Sequence, residues 1–309
     1  MARYRYNVVD VFTDTPLTGN QLAVFTDARG IPEEMLQPLA REMNFSETVF
    51  VYPPTQRAQA GGTAQQATSG RDNDEETVFV YPSEVAHARI RIFTPAVEVP
   101  FAGHPTLGSA FVLAGPLQLD EIALETGQGV VPVRLEREGA QIVFGWMEQP
   151  IPTVELYADA DGLLAALGVQ RSELPVELYD NGLPNVYVVL SSEEEVAALR
   201  PDLSRLAELP AVIGVNCLAG SGSRWKTRMF APAGGVAEDP ATGSAAGPLA
   251  LHLARHGLIS FGDEIEITQG VEIDRPSKLY ARVEGSVDRT ERVEVGGSAV
   301  VVARGEFQL

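Results

Sequence analysis

The chain has 309 residues, 45% of them hydrophobic and 21% charged, a balance that fits a globular protein large enough for more than one core. A formal net charge of −19 with scattered Lys and Arg excludes the basic footprint that a nucleic-acid backbone requires, and no run approaches the ~20 apolar residues of a membrane span. The single cysteine, Cys217, excludes an intramolecular disulfide and a thiolate metal cluster, in keeping with a reducing compartment.

The opening MARYRYNVVDVF reads as a strand and has no apolar h-region of a signal peptide, so a cytoplasmic protein is expected. Strand patterns over 6–12 and 21–25 flank a turn-rich connection that ends at Asn20. Residues 32–43 have helical spacing, with Glu33 and Glu34 in the first turn, where the helix dipole favours acids. The segment Asn44-Phe45-Ser46-Glu47-Thr48 follows, and here the chain repeats itself: Glu47 to Pro53 recurs letter for letter as Glu76 to Pro82. The spacer is rich in Gly, Ala, Gln and Thr and reads as a flexible insertion over about 54–75, leaving two candidates for one strand of the sheet. Only the first copy carries the Asn-Phe-Ser prefix and a preceding helix.

Further on, a first apolar helix is expected over 105–114, alternating strands over 122–147, a crossing near 150–153, and helices over 160–167 and 191–209, the latter broken at Pro201. Strands are expected over 186–190 and 211–217. A second apolar helix over 240–256 stops at Gly257, and strands follow over 264–268, 279–284 and 292–303. The two apolar helices belong to an internal duplication. Arg91-Ile92-Phe93-Thr94-Pro95 and Gly108-Ser109-Ala110 return as Arg228-Met229-Phe230-Ala231-Pro232 and Gly243-Ser244-Ala245, at offsets of 137 and 135 residues. Two related lobes are the natural division: an N-terminal lobe over 1–118, to which a strand over about 298–309 is free to return, and a C-terminal lobe over 119–297.

At the two loop-to-helix junctions one copy offers His104 and the other Asp239, each followed by proline, the residue preferred at a first helical position. Gly103, Gly243 and Ser244 keep these junctions small, so that a ligand's oxygens could reach the N–H groups of a helix start. Plainer readings stand beside these: Asp239 before Pro240 makes a good N-cap, and Glu47 on composition alone is a solvated carboxylate. The pair His252 and His256 has the spacing of two ligands on one helix face. No third ligand motif accompanies it, and the dipole favours histidine near a helix C-terminus, so no metal is expected there. No phosphate loop or dinucleotide fingerprint is present, so no nucleotide cofactor is expected either.

Taken together, Thr18-Gly19-Asn20, Asn44-Phe45-Ser46-Glu47-Thr48, Phe101-Ala102-Gly103-His104-Pro105-Thr106-Leu107-Gly108, Glu238-Asp239-Pro240-Ala241-Thr242-Gly243-Ser244-Ala245-Ala246-Gly247, Gln269-Gly270 and Arg275-Pro276-Ser277 resemble the phenazine-biosynthesis PhzF-like isomerases over nearly the whole chain. The resemblance implies an α+β fold like that of diaminopimelate epimerase, with two pseudo-symmetric lobes, each a mostly antiparallel, barrel-like sheet around a central helix. It also implies a cofactor-free isomerase in which Glu47 moves a proton between carbons of a small, cyclic, carboxylate-bearing substrate in an interlobe cleft. His104 and Asp239 would hold or relay protons there, and Asn20, Ser46, Gly103, Thr242, Gly243 and Ser244 would bind substrate. A glutamate suits this role if burial raises its pKa from ~4.3 toward neutrality. The expected partner is a small molecule, not nucleic acid or membrane, with a homodimer left open. Gln21 stands where many members have proline. Two alternatives remain: a binding protein of the same fold without turnover, or a racemase, which in this group needs two cysteines facing each other.

Overall fold

The first strand of the chain, Arg3–Val11, finds its partner at the far end of the sequence, running antiparallel to Ala299–Gln308 from Arg3 opposite Gln308 to Val11 opposite Ala299. The computed structural model describes residues 2–55, 65–69, 76–80 and 86–309. They form two units: Met1–Leu17, Gln21–Met147 and Gly297–Leu309 make the first, Thr18–Asn20 and Glu148–Gly296 the second.

In the first unit, Asn20–Phe25 pairs in parallel with Glu47–Tyr52, which pairs antiparallel with Ala88–Phe93. The first copy of the repeated segment is therefore the one in the main sheet. Residues Glu76–Val80 of the second copy pair with Gln65–Ser69 in a separate two-stranded sheet, and the rest of the expected insertion lies outside the described residues. Helix Glu33–Met43 buries Leu36, Leu39 and Ala40 on an aromatic layer in which Phe25 stacks on Phe50 at 5.0 Å and Phe93 meets Phe50 edge-on at 5.4 Å. It ends at Asn44, whose left-handed backbone lets its N–H reach the Ala40 carbonyl.

The central helix of this unit, Gly103–Leu117, is buried on all sides from Gly103 to Ala114, so it carries no amphipathic stripe. Gly108 permits the contact with the strands: a Cβ there would come within 2.7 Å of both Leu22 and Val11. Gly145 likewise sits against Leu107 and Phe111 of the same helix. This packing carries strands Glu121–Thr126, Gly129–Glu138 and Gln141–Glu148 along the first core, so the division falls after Met147 rather than at 118.

The second unit is built around Gly243–Arg255, buried from Gly243 to Ala254. Its sheet runs through Glu177–Asp180, Pro184–Val189, Gly214–Ser221, Arg224–Ala231, Glu264–Gln269, Ser277–Gly285 and Thr290–Gly297, antiparallel except where Pro184–Val189 meets Gly214–Ser221 and Arg224–Ala231 meets Glu264–Gln269. Helices Ala160–Leu167, Glu193–Ala198 and Leu203–Ala207, capped by the side chains of Asp159, Ser192 and Asp202, close a further core around Val186, Val188, Val215 and Phe230. In each unit a mostly antiparallel sheet thus encloses one buried helix.

Three local expectations need correction. The central helices start at Gly103 and Gly243, so Pro105 lies inside the first turn and Pro240 precedes the helix. Asp239 ends the short strand Val236–Asp239 and is not the N-cap, a position held by Thr242. The strand expected over 292–303 is two strands, because Ser298 breaks it: its carbonyl takes the N–H of Phe12 and its hydroxyl donates to the Val143 carbonyl.

Candidate functional site

The first unit brings Glu47 and His104 together. Glu47 opens its strand with a side chain 15% exposed, and its Oε2 lies 3.4 Å from Nε2 of His104, the second residue of the central helix. Burial pushes the imidazole down to about 3, against a backbone hydrogen bond with Gln21 that acts in the opposite direction. The positive end of the helix dipole works in the same sense as burial. His104 is therefore a neutral ring at physiological pH. Ser46 sits half-buried in the bend before Glu47, and Gly103 starts a helix whose N-cap, Ala102, offers no side-chain oxygen.

The second unit brings together Asn20, Asp239 and Thr242. Asn20 is fully buried, and its Nδ2 donates to Asp239 Oδ1 and to the Ala241 carbonyl, both at 2.9 Å. The Thr242 hydroxyl donates to Asp239 Oδ2 at 2.5 Å. Thr242 is thereby turned away from its own helix, which starts at Gly243 and Ser244 without a side-chain cap.

Several residues that hold this arrangement were given no role by sequence reasoning. Gln269 accepts from the Thr242 N–H at 3.2 Å and donates to the Asp239 carbonyl at 2.8 Å and the Thr242 hydroxyl at 3.0 Å. Arg275 donates to the carbonyls of Gly19 and Thr18, fixing the turn that delivers Asn20. Both lie in motifs whose spacing was visible; their targets were not. Asn181 donates to the Ser244 carbonyl at 2.9 Å, and no motif signals it. Its reason is local: the helical donor for that carbonyl would be residue 248, which is proline.

The duplicated arginines have matching tasks. Arg91 grips Glu98 through Nε and Nη2 at 2.7 and 2.6 Å, and Arg228 grips Glu238 in the same two-pronged way at 2.8 and 2.7 Å. Each bond ties the strand to the segment leading into its central helix, and in the second unit the gripped residue is next to Asp239. A cavity of about 480 Å³ beside Arg89, Arg91, Glu98 and Glu125 is lined by none of the site residues.

Comparison with known proteins assigns the chain to a family. The model of the phenazine biosynthesis-like (PhzC-PhzF) family matches residues 9–66 and 59–305. The chain belongs to the phenazine biosynthesis-like family. It is 47% identical to the trans-2,3-dihydro-3-hydroxyanthranilate isomerase of Pseudomonas aeruginosa over 99% of this chain and 100% of that one. Among solved structures it resembles a predicted epimerase from Pseudomonas aeruginosa (30% identity, TM-score 0.77, 99% of each chain covered) and a PhzF-family protein from Bacillus anthracis (24%, 0.77, 100% of each). The likeness to named isomerases extends end to end, and this member of the family is an isomerase with its α+β fold.

A two-thiol racemase is not open to this family member. Its one cysteine, Cys217, is fully buried within strand Gly214–Ser221, and burial pushes its thiol far up, with Arg228 opposing. Among the described residues no helix is long and apolar enough to cross a membrane.

Proposed function

We propose that the protein isomerises trans-2,3-dihydro-3-hydroxyanthranilate, or a close cyclic dihydro carboxylic acid, by moving a proton between ring carbons with Glu47 as the general acid/base. The substrate class comes from the full-length relative; the assignment of Glu47 rests on its contact with His104. A neutral imidazole at a helix N-terminus resists taking a charge, so the mobile proton of the pair rides on Glu47, and His104 orients the carboxyl group that gives and takes it. Asp239 aligns the Asn20 amide and the Thr242 hydroxyl for substrate polar groups. The helix start at Gly243 and Ser244 supplies a dipole suited to a carboxylate without any Lys or Arg.

The chemistry asked of the protein is modest, since a positioned acid/base contributes roughly 10²–10⁴-fold. The test is turnover of the dihydro-hydroxyanthranilate in D2O. The reading requires isomerised product, labelled with solvent deuterium at the newly protonated carbon to the extent that the Glu47 carboxyl exchanges its proton before delivering it. It fails if the purified protein leaves this substrate and its ring-reduced carboxylate analogues unchanged.

A further inference from the structure

The two histidines set four apart near the end of the second central helix are joined in the fold by a third group that the sequence did not reveal. Glu177, first residue of strand Glu177–Asp180 and 6% exposed, points Oε2 at His252 Nδ1 (3.2 Å) and at His256 Nε2 (3.0 Å). The donor atoms of the three residues all lie within 4.8 Å of one another.

We infer that Glu177, His252 and His256 form a binding site for one zinc-type divalent cation, which fastens the C-terminal end of the helix to the strand. Ligands about 2.0–2.1 Å from a tetrahedral zinc ion stand roughly 3.3–3.4 Å from one another, close to the two spacings found here. Two imidazoles and one carboxylate are a zinc-like donor set and a poor one for magnesium or calcium, which prefer all-oxygen shells. The outer groups suit a ligand role. The Tyr179 hydroxyl donates to Glu177 Oε2 at 2.8 Å and stands 3.1 Å from His252 Nδ1, and Arg255 approaches the other oxygen, Oε1, at 3.5 Å, so the carboxylate is fixed with Oε2 toward the histidines. His252 is fully buried between Tyr179 and Tyr187, while the His256 side chain is 22% exposed, which gives an ion an entry route and a water a fourth position.

The site is structural. Along a helix that rises ~1.5 Å per residue, His256 lies roughly 18 Å from Ser244, so an ion there does not meet the helix start assigned to substrate binding. Its effect would fall on stability, with turnover unchanged.

The experiment uses the full-length protein, stripped with EDTA and dialysed, with zinc chloride as the only added ligand. Calorimetric titration is expected to give one zinc per chain with micromolar or tighter affinity, and zinc at one hundred times Kd is expected to raise Tm by about 5 °C. His256→Gln, on the exposed rim, should weaken binding at least 100-fold and keep full isomerase activity; Glu177→Gln should also weaken it. Cobalt in place of zinc should give the strong visible band of a four-coordinate ion. No stoichiometric uptake by the wild-type protein, or equal affinity in His256→Gln, overturns the inference and leaves the cluster a hydrogen-bond network. A weak, six-coordinate cobalt spectrum does the same.

Discussion

His104 Nε2 stands 3.4 Å from Glu47 Oε2 in a place where burial keeps the imidazole uncharged. A neutral ring beside a carboxyl group differs from the usual ion pair: it orients that group without fixing a permanent charge opposite it. The same burial makes His104 expensive to protonate, and that has a consequence for stability.

Because its folded-state pKa, about 3, lies below the ordinary 6.5, His104 binds a proton in the unfolded chain before it does so in the folded one. Its contribution is full above pH 6.5 and is lost as pH falls through the window down to about 3. Urea unfolding at pH 7, 6 and 5 should show wild-type stability dropping by up to ~1.4 kcal/mol per unit more than that of His104→Asn. Equal slopes for the two proteins would mean that the ring is not buried neutral.

Arg228 and Glu238 are 7% and 11% exposed, so removing one partner strands the other's charge. Glu238→Gln should cost about 3 kcal/mol, and the double change Arg228→Met with Glu238→Leu should recover part of it, since Arg228 Nη1 also donates to the carbonyls of Ala197 and Leu199. Denaturant midpoints of the single and double variants check this; an additive double loss would refute it.

Asn20→Ala removes the amide that donates to Asp239 Oδ1 and to the Ala241 carbonyl. Losing a donor to a buried carboxylate is worth ~1.5–3 kcal/mol, so kcat/KM should fall roughly 10–100-fold. Steady-state kinetics decide, with circular dichroism verifying the fold; undiminished kcat/KM would remove Asn20 from the site.

Gly270 has φ +78°, and a Cβ there would lie 2.4 Å from the Arg275 carbonyl oxygen and 2.6 Å from that of Pro240. Gly270→Ala should therefore lose about 2 kcal/mol or more, through backbone strain and displacement of the Asp239–Thr242 turn. Thermal unfolding with a turnover assay reports both effects, and a Tm within 1–2 °C of wild type would contradict the close approach.

Much of this was readable in the sequence because it depends on local pattern. The duplicated Phe-x-Pro and Gly-Ser-Ala blocks marked both central helices, and the Asn-Phe-Ser prefix separated Glu47 from Glu76, whose strands now occupy different sheets. What stayed hidden depends on contacts distant in sequence. Nothing local connects Glu177 to His252 and His256, or Asn181 to the carbonyl orphaned by Pro248. The helix starts were misread for a different reason: proline is good at a first helical position, but the side chains of Asp239 and Thr242 bond to each other, and the helix begins after them.

The central claim is that Glu47 carries the proton. Turnover of trans-2,3-dihydro-3-hydroxyanthranilate in D2O by Glu47→Gln and Glu76→Gln, side by side, tests it most directly. The expected result is a loss of at least 100-fold in kcat and of solvent deuterium in the product for Glu47→Gln, with Glu76→Gln near wild type. Deuterated product formed by Glu47→Gln at close to the wild-type rate would contradict it.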